Sequence, residues 1–299
     1  MRALVIGGSG FIGRYLVRRL AEASGNEVFG TFRSRPPGTE VGSWHRVELT
    51  DASDLERLFS LSSPDVVVHL AAMADVGACE REPERAETVN VGATSAIAGL
   101  CQQYGARLVF VSTEYVFNGR RGFYREDEDA NPTTTYGRTK WEAEREVARL
   151  ALRWSIVRTS IVFGWPLQAH RNFGPWLVER LRSGQSYYAP TDVLRTPVYV
   201  EHLADGIARL VEGDYAGVHH IAGSDWVSMY DFALAIADGF QLDRGLVIPA
   251  EAWAQGGSDG NEGGEKLGLD SGRTFRLLGL SQHGLFEGIA AMRASGQNA

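Results

Sequence analysis

Tyr136 and Lys140 stand four residues apart in Tyr136-Gly137-Arg138-Thr139-Lys140, where a helical periodicity opens. Residues at that spacing share a helix face, so the ammonium can approach the phenol. A neighbouring cation favours the phenolate and lowers a tyrosine pKa from about 10 towards the working range. Such a tyrosine can protonate a carbonyl oxygen as hydride reaches the carbon. The spacing is common by chance, and its weight comes from company. Val111-Ser112-Thr113 ends an apolar β-branched run and leaves a hydroxyl donor at the strand's carboxyl end, while Asn90-Val91-Gly92 falls between that strand and the one before.

A second group of residues opens the chain. An apolar strand runs directly into Gly7-Gly8-Ser9-Gly10-Phe11-Ile12-Gly13 and then into a helix. This is a dinucleotide loop in its expected context: Gly7 for the tight turn, Gly10 for close approach to pyrophosphate, Gly13 for packing of helix on strand. Gly7, Gly10, Phe11, Ile12 and Gly13 are therefore cofactor-binding candidates, with pyrophosphate at the helix N-terminus. An NAD-selective site needs a carboxylate at the end of the second strand. Here Thr31-Phe32-Arg33 stands there, with Arg35 close behind. Arginine suits a 2′-phosphate, so NADP(H) is preferred, with NAD(H) as the second option.

The elements that must carry these residues follow from hydrophobic patterning. Ala3–Ile6, Val28–Phe32, Val66–Leu70, Leu108–Val111 and Ile156–Val157 read as buried strands. Between them, Phe11–Leu20, Asp54–Phe59 and Trp141–Leu150 have apolar residues at helical spacing, and Asp51 is placed to cap the second. Alternation of this kind predicts an α/β fold: a doubly wound parallel sheet of Rossmann type, with ligands at the carboxyl ends of its strands. After Thr159 the rhythm changes. Helices at His202–Leu210 and Tyr230–Phe240 flank a short strand at His219–Ala222, and Asp225 or Ser228 could cap the second helix. Gln255–Gly268, with six glycines, reads as a mobile loop. The expected division is residues 1–165 for the cofactor-binding domain and 166–299 for a smaller substrate lobe. A segment near 195–210 should return to the sheet.

Composition narrows the classes. The chain has 299 residues, 44% of them apolar, and a net charge of −7, which gives no broad attraction to nucleic acid or anionic membrane. Arg14, Arg18 and Arg19 fall at helical spacing and read as a solvated face. Cys79 and Cys101 imply neither a disulfide framework nor a zinc site, and the histidines lack metal-ligand spacing, so no metal is expected. No apolar run reaches spanning length, and a cytoplasmic location is expected.

The glycine loop, His69-Leu70-Ala71-Ala72, Asn90, Ser112-Thr113 and Tyr136…Lys140 together resemble the extended short-chain dehydrogenase/reductase superfamily. Within it, Ser112-Thr113-Glu114-Tyr115-Val116-Phe117-Asn118-Gly119 is similar to the Ser-Thr-Asp-Tyr-Val-Phe-Asp-Gly segment of dTDP-4-dehydrorhamnose reductases. The likeness is strong over about the first 165 residues. It implies that Thr113 orients a substrate carbonyl, Tyr136 donates the proton, and Lys140 binds nicotinamide ribose while tuning Tyr136. It further implies that Glu48-Leu49 contacts adenine, that the Ala71-Ala72 backbone lines the cofactor, and that Asn90 supports the lysine.

Two departures carry information. Dehydratases of the superfamily have Thr-Asp-Glu, whose second acid is missing from Thr113-Glu114-Tyr115, which argues against dehydration and leaves Tyr115 to meet substrate. The reductases' Arg-Pro-x-Asn-x-x-Leu-Asp segment is replaced by Gly264-Glu265-Lys266-Leu267-Gly268-Leu269-Asp270. Arg195 resembles a diphosphate-contacting position, and Asn172 could meet substrate or cap a helix. The implied substrate is a nucleotide diphosphate sugar carrying a 4-keto group. A homodimer is compatible with the pattern. Two other readings stay open: an epimerase on the same scaffold, and a non-catalytic NADP-binding subunit like the regulatory β subunit of methionine adenosyltransferase.

Overall fold

A computed structural model describes residues 1–34, 36–38, 41–167, 172–252 and 265–296. A seven-stranded sheet forms its backbone. Six of its strands are β1 (Arg2–Ile6), β2 (Glu27–Phe32), β3 (Ser43–Arg46), β4 (Val66–His69), β5 (Arg107–Thr113) and β6 (Trp154–Thr159). Gly217–His220 forms the seventh, at one edge, and the order runs from it through β6, β5, β4, β1 and β2 to β3. β1 pairs in parallel with β2 and β4, β2 with β3, and β4 with β5. The order reverses beside β1, the topological switch at which such sheets bind ligands.

Local chemistry explains the element ends. Helix α1 (Phe11–Ala21) has Gly10 at its N-cap, with no side-chain cap and no acid in its first turn. Helix α2 (Ala52–Ser62) is capped by Asp51, whose carboxylate accepts from the Ser53 and Asp54 amides. The Thr135–Leu150 helix starts at Thr134, whose side chain accepts from the Gly137 amide. Leu4, Ile6, Phe59, Val67, Ile97, Leu108, Phe110 and Val147 make a continuous core between sheet and helices.

The chain divides into two compact units. The first comprises Met1–Phe117, Asp129–Arg158 and Ala204–His219; the second comprises Asn118–Glu128, Thr159–Leu203 and His220–Ala299. Short strand pairs support the second unit: Tyr187–Pro190 with Val247–Ala250, and Leu194–Arg195 with Val227–Ser228. Its core is aromatic, with Phe163 and Phe173 each packed on Phe232.

Several expectations need correction. β3 was not among the strands read from the pattern; its Ser-Trp-His-Arg sequence is polar and half-exposed, as an edge strand tolerates. The strand expected at His219–Ala222 lies two residues earlier, because Ile221 and Ala222 give their backbone to side chains: the Thr159 hydroxyl donates to the Ile221 carbonyl, and the Ala222 amide to Ser271 Oγ. Ser228, not Asp225, caps the Met229–Gly239 helix, and Asp225 accepts from the Leu285 amide instead. Arg14 is buried, not part of a solvated face. Of the expected mobile loop, Gln255–Gly264 lies outside the described residues, as does Arg35. The remainder is tied down, with Lys266 bridged to Leu194 and Leu269 to Tyr124.

Candidate active site

The first strand delivers its chain into a loop that folds against two neighbours. Gly7 sits at φ +85°, a conformation that side chains resist, and a Cβ there would come within 2.8 Å of the Ala71 amide nitrogen. Thr31, near the end of β2, holds the loop from the other side. Its hydroxyl accepts from the Gly7 amide at 2.9 Å, and its carbonyl accepts from Ser9 at 2.9 Å. The glycine loop, the start of α1 and the Ala71 backbone are therefore brought together. With no cap and no acid in its first turn, α1 presents the free N-terminal amides and positive dipole end that a pyrophosphate requires.

A second cluster lies at the carboxyl end of β5. Thr113 ends that strand; its hydroxyl accepts from the Tyr115 amide at 3.2 Å and lies near enough to the Tyr136 phenol to draw its pKa down. The Tyr115 ring packs edge-on against Tyr136 at 5.8 Å between centroids. Their approach depends on Gly137, where a Cβ would fall 2.1 Å from the Tyr115 carbonyl oxygen. One turn along the helix, Lys140 is buried and donates to the Val111 carbonyl at 2.8 Å, with its ammonium 4.0 Å from the centre of the Phe110 ring. Asn90 sits in a π-helical turn, a distortion frequent at functional sites. Its side chain accepts from the Met73 amide and donates to the Met73 carbonyl and the Thr139 hydroxyl. Asn90 thus clamps the residue preceding Lys140.

The electrostatics differ from the expected tuning. Burial raises the Tyr136 pKa above the ordinary tyrosine value, and the nearby Thr113 hydroxyl only partly opposes it. Lys140 is not among the groups that shift it, and its ammonium is directed to the Val111 carbonyl. Burial pulls Lys140 itself down to about 7, against the upward pull of Glu144. His69 is driven to about 3 by burial and then by Lys140, so it is neutral, with Nε2 3.1 Å from the Thr94 hydroxyl.

The other candidates are placed as follows. Arg33 is exposed beyond the end of β2, where its carbonyl accepts from Arg46. Glu48 is exposed and Leu49 packs on the core, while Ala71 and Ala72 are half-buried. In the second unit, Arg195 is buried and pairs with the Glu265 carboxylate, donating also to the Leu194 carbonyl at 2.8 Å. Asn172 stands at the N-cap position of the Phe173–Arg182 helix without capping it, and its amide donates to the Gly164 carbonyl at 2.9 Å.

Two features were missed. Glu144, one turn beyond Lys140, holds Arg158 by Nε at 3.0 Å and Nη2 at 2.7 Å, both residues almost fully buried. The signal was present in the i, i+4, i+8 series Tyr136, Lys140, Glu144. Thr31 was the other; nothing local marks a threonine as the tether of a glycine loop. Among the described residues no group of three or more potential metal ligands occurs, and no helix is long and apolar enough to cross a membrane.

Comparison with known proteins places this arrangement. The family described as RmlD substrate binding domain matches residues 1–255. A probable low-salt glycan biosynthesis reductase of Haloferax volcanii is 30% identical over 99% of this chain and 98% of its own length. Methionine adenosyltransferase 2 subunit beta of Xenopus tropicalis is 30% identical over 83% of this chain and 75% of its own. Among solved structures, dTDP-4-dehydrorhamnose reductase of Bacillus anthracis, in complex with NADP, superposes with a TM-score of 0.85 at 23% identity, covering 98% of this chain and 99% of that one. That last likeness establishes the fold.

Proposed function

We propose, from the premise that this chain belongs to the RmlD substrate-binding-domain family, that it reduces the 4-keto group of a nucleotide-linked 6-deoxysugar with NADPH. The observation that carries the reading is the gathering of Thr113, Tyr115 and Tyr136 at the end of β5, with Lys140 one helical turn away and held to the same strand. Residues 1–165 would hold the cofactor, and 166–299 would mainly recognise substrate.

The residues fit a dinucleotide. Gly7, Gly10, Phe11, Ile12 and Gly13 would hold its pyrophosphate, Ala71 and Ala72 its flank, Glu48 and Leu49 its adenine, and Lys140 its nicotinamide ribose. When bound, the cofactor supplies hydride. The protein supplies the proton. Thr113 would orient the ketone oxygen, and the Tyr136 hydroxyl would transfer its proton there as negative charge develops. A buried, raised tyrosine is protonated at neutral pH and so begins as the acid. Asn90 would hold the lysine's neighbour in place, and Tyr115, Asn172 and Arg195 would meet the substrate. For Arg195 this requires exchange of its Glu265 partner for a diphosphate.

The test is NADPH oxidation against nucleotide 4-keto-6-deoxysugars and the corresponding free ketosugars. The conjugates should be turned over and the free sugars hardly at all, since distant binding energy orients the reacting ketone. Tyr136→Phe should lower turnover roughly a hundredfold or more while NADPH affinity holds. Near-normal turnover by that variant would remove Tyr136 from the role. The likeness to methionine adenosyltransferase 2 subunit beta favours a second reading, a cofactor-binding subunit. It is distinguished by NADPH binding with no turnover of any conjugate.

A further inference from the structure

Arg14 occupies the first turn of α1 with only 9% of its surface exposed, yet its Nε and Nη1 have no hydrogen-bond partner among the described residues. Burying a guanidinium without a counter-charge is expensive, and proteins normally pair it. Arg18, the nearest charge along the helix, is another cation, and with burial it presses the Arg14 pKa downward. No described residue therefore neutralises the charge at those two atoms.

Arg14 also lines a recess, with Val17, Arg18, Val41 and Trp44 forming the remainder. The Trp44 indole is fixed there by Nε1–H donating to the Val41 carbonyl at 2.9 Å. Gly30, in β2, makes room for it, since a Cβ would lie 2.4 Å from Trp44 Cζ3. A Cβ on Gly8 would come within 3.1 Å of the same atom. The recess thus adjoins the glycine loop on one side and β2 on the other, three residues before Arg33.

We infer that Arg14, with Arg18 beside it, is a specificity-determining residue that receives a phosphate monoester, the 2′-phosphate of NADP(H), in the recess walled by Trp44. The inference rests on the cofactor reading above and deepens it: Arg33 would meet that phosphate from the strand end and Arg14 from the helix. A dianion accepting from the guanidinium's open Nε or Nη1 would supply the missing counter-charge.

Titration calorimetry with 2′,5′-ADP, 5′-ADP and inorganic phosphate, alongside thermal melting without ligand, tests this. Wild-type protein should prefer 2′,5′-ADP. Arg14→Met should weaken 2′,5′-ADP by roughly tenfold or more, the scale of one charge-assisted contact, and leave 5′-ADP within about twofold. The same variant should melt no lower than wild type, because it removes an uncompensated charge. Arg14→Lys keeps the charge without the fork and should lie between the two in affinity. A merely structural Arg14 would instead lower the melting temperature or weaken both nucleotides equally, and either result overturns the inference. If Arg33→Ala abolishes the preference and Arg14→Met does not, the NADP reading stands and the Arg14 inference falls. No preference in wild type removes both. Loss of inorganic phosphate binding in Arg14→Met, with 2′,5′-ADP unchanged, would make the recess a site unrelated to the cofactor and overturn the assignment.

Discussion

Arg14 and Arg158 are both guanidiniums withdrawn from water in the first unit, and the protein treats them oppositely. Behind the Tyr136 helix, Arg158 is held through two nitrogens by Glu144 and lies 5.1 Å over the Phe117 ring, with only its Nη1 lacking a hydrogen bond. On α1, no acid among the described residues holds Arg14 Nε or Nη1. The contrast extends to the surroundings. At the carboxyl end of β5 Tyr115 bonds Thr113 and packs on Tyr136, Lys140 meets Val111, and Asn90 clamps Thr139, all within the protein. At the glycine-loop end the helix has no side-chain cap, and the nearby charge is unmatched among the described residues. On the proposed function, the groups for chemistry would be fixed in advance, which is what preorganised catalysis needs. The groups for binding would keep donors open for a ligand to complete.

The largest expected effect tests the closed end. Glu144→Ala leaves Arg158 buried without its partner and should destabilise the protein by about 3–5 kcal/mol, measured by urea unfolding. Replacing both, Glu144→Met with Arg158→Met, should recover most of that loss, since an apolar pair of similar volume avoids the desolvation cost. A Glu144→Ala loss below about 1 kcal/mol would place the pair with ordinary surface bridges and dissolve the contrast.

How much of this was legible follows the same division. The strand–helix alternation, the glycine triplet and the Thr113, Tyr136, Lys140 set are local patterns, written in the spacing of neighbouring residues. β3 escaped because an edge strand needs no apolar alternation, and the shift at Gly217–His220 escaped because side chains distant in sequence capture the next carbonyl and amide. Arg14 was misread for a related reason. Its helical spacing with Arg18 is visible, but the cover provided by Trp44 comes from a strand thirty residues on. The Arg195–Glu265 pair spans 70 residues and has no local signature. Sequence periodicity reports which face of an element is apolar; it does not report which partner arrives from elsewhere.

Lys140 offers an intermediate effect. Its folded pKa of about 7 lies below the ordinary lysine value of 10.5. Between those values the unfolded chain binds a proton that the folded chain does not, so stability should rise with pH across that window. Unfolding in urea at pH 7 and pH 9 should show wild type gaining about 2 kcal/mol more than Lys140→Met, the difference isolating this one group from all others that titrate. Glu144 and His69 are the ionisable groups coupled to it. His69 is neutral throughout this range and does not supply the slope. An identical pH response in the two proteins would mean that the ammonium remains charged, held by the Val111 carbonyl and the Phe110 ring.

The smallest expected effect separates holding the loop from reading the cofactor. Thr31 tethers the glycine loop through its hydroxyl, which accepts from the Gly7 amide at 2.9 Å. Thr31→Val preserves shape and removes that acceptor, so the cost in stability should be about 1 kcal/mol, the net value of a hydrogen bond. Its consequence for binding is distinct from that of Arg14 or Arg33. A loosened loop presents pyrophosphate with a less ordered set of amides, and pyrophosphate is common to both cofactors. NADPH and NADH should therefore weaken together, by roughly two- to tenfold, the range of about 0.5–1.4 kcal/mol. Calorimetry with the two cofactors on this variant decides the point. A loss confined to NADPH would show that Thr31 acts at the 2′-phosphate, and the division between a tethered loop and an open charged recess would no longer hold.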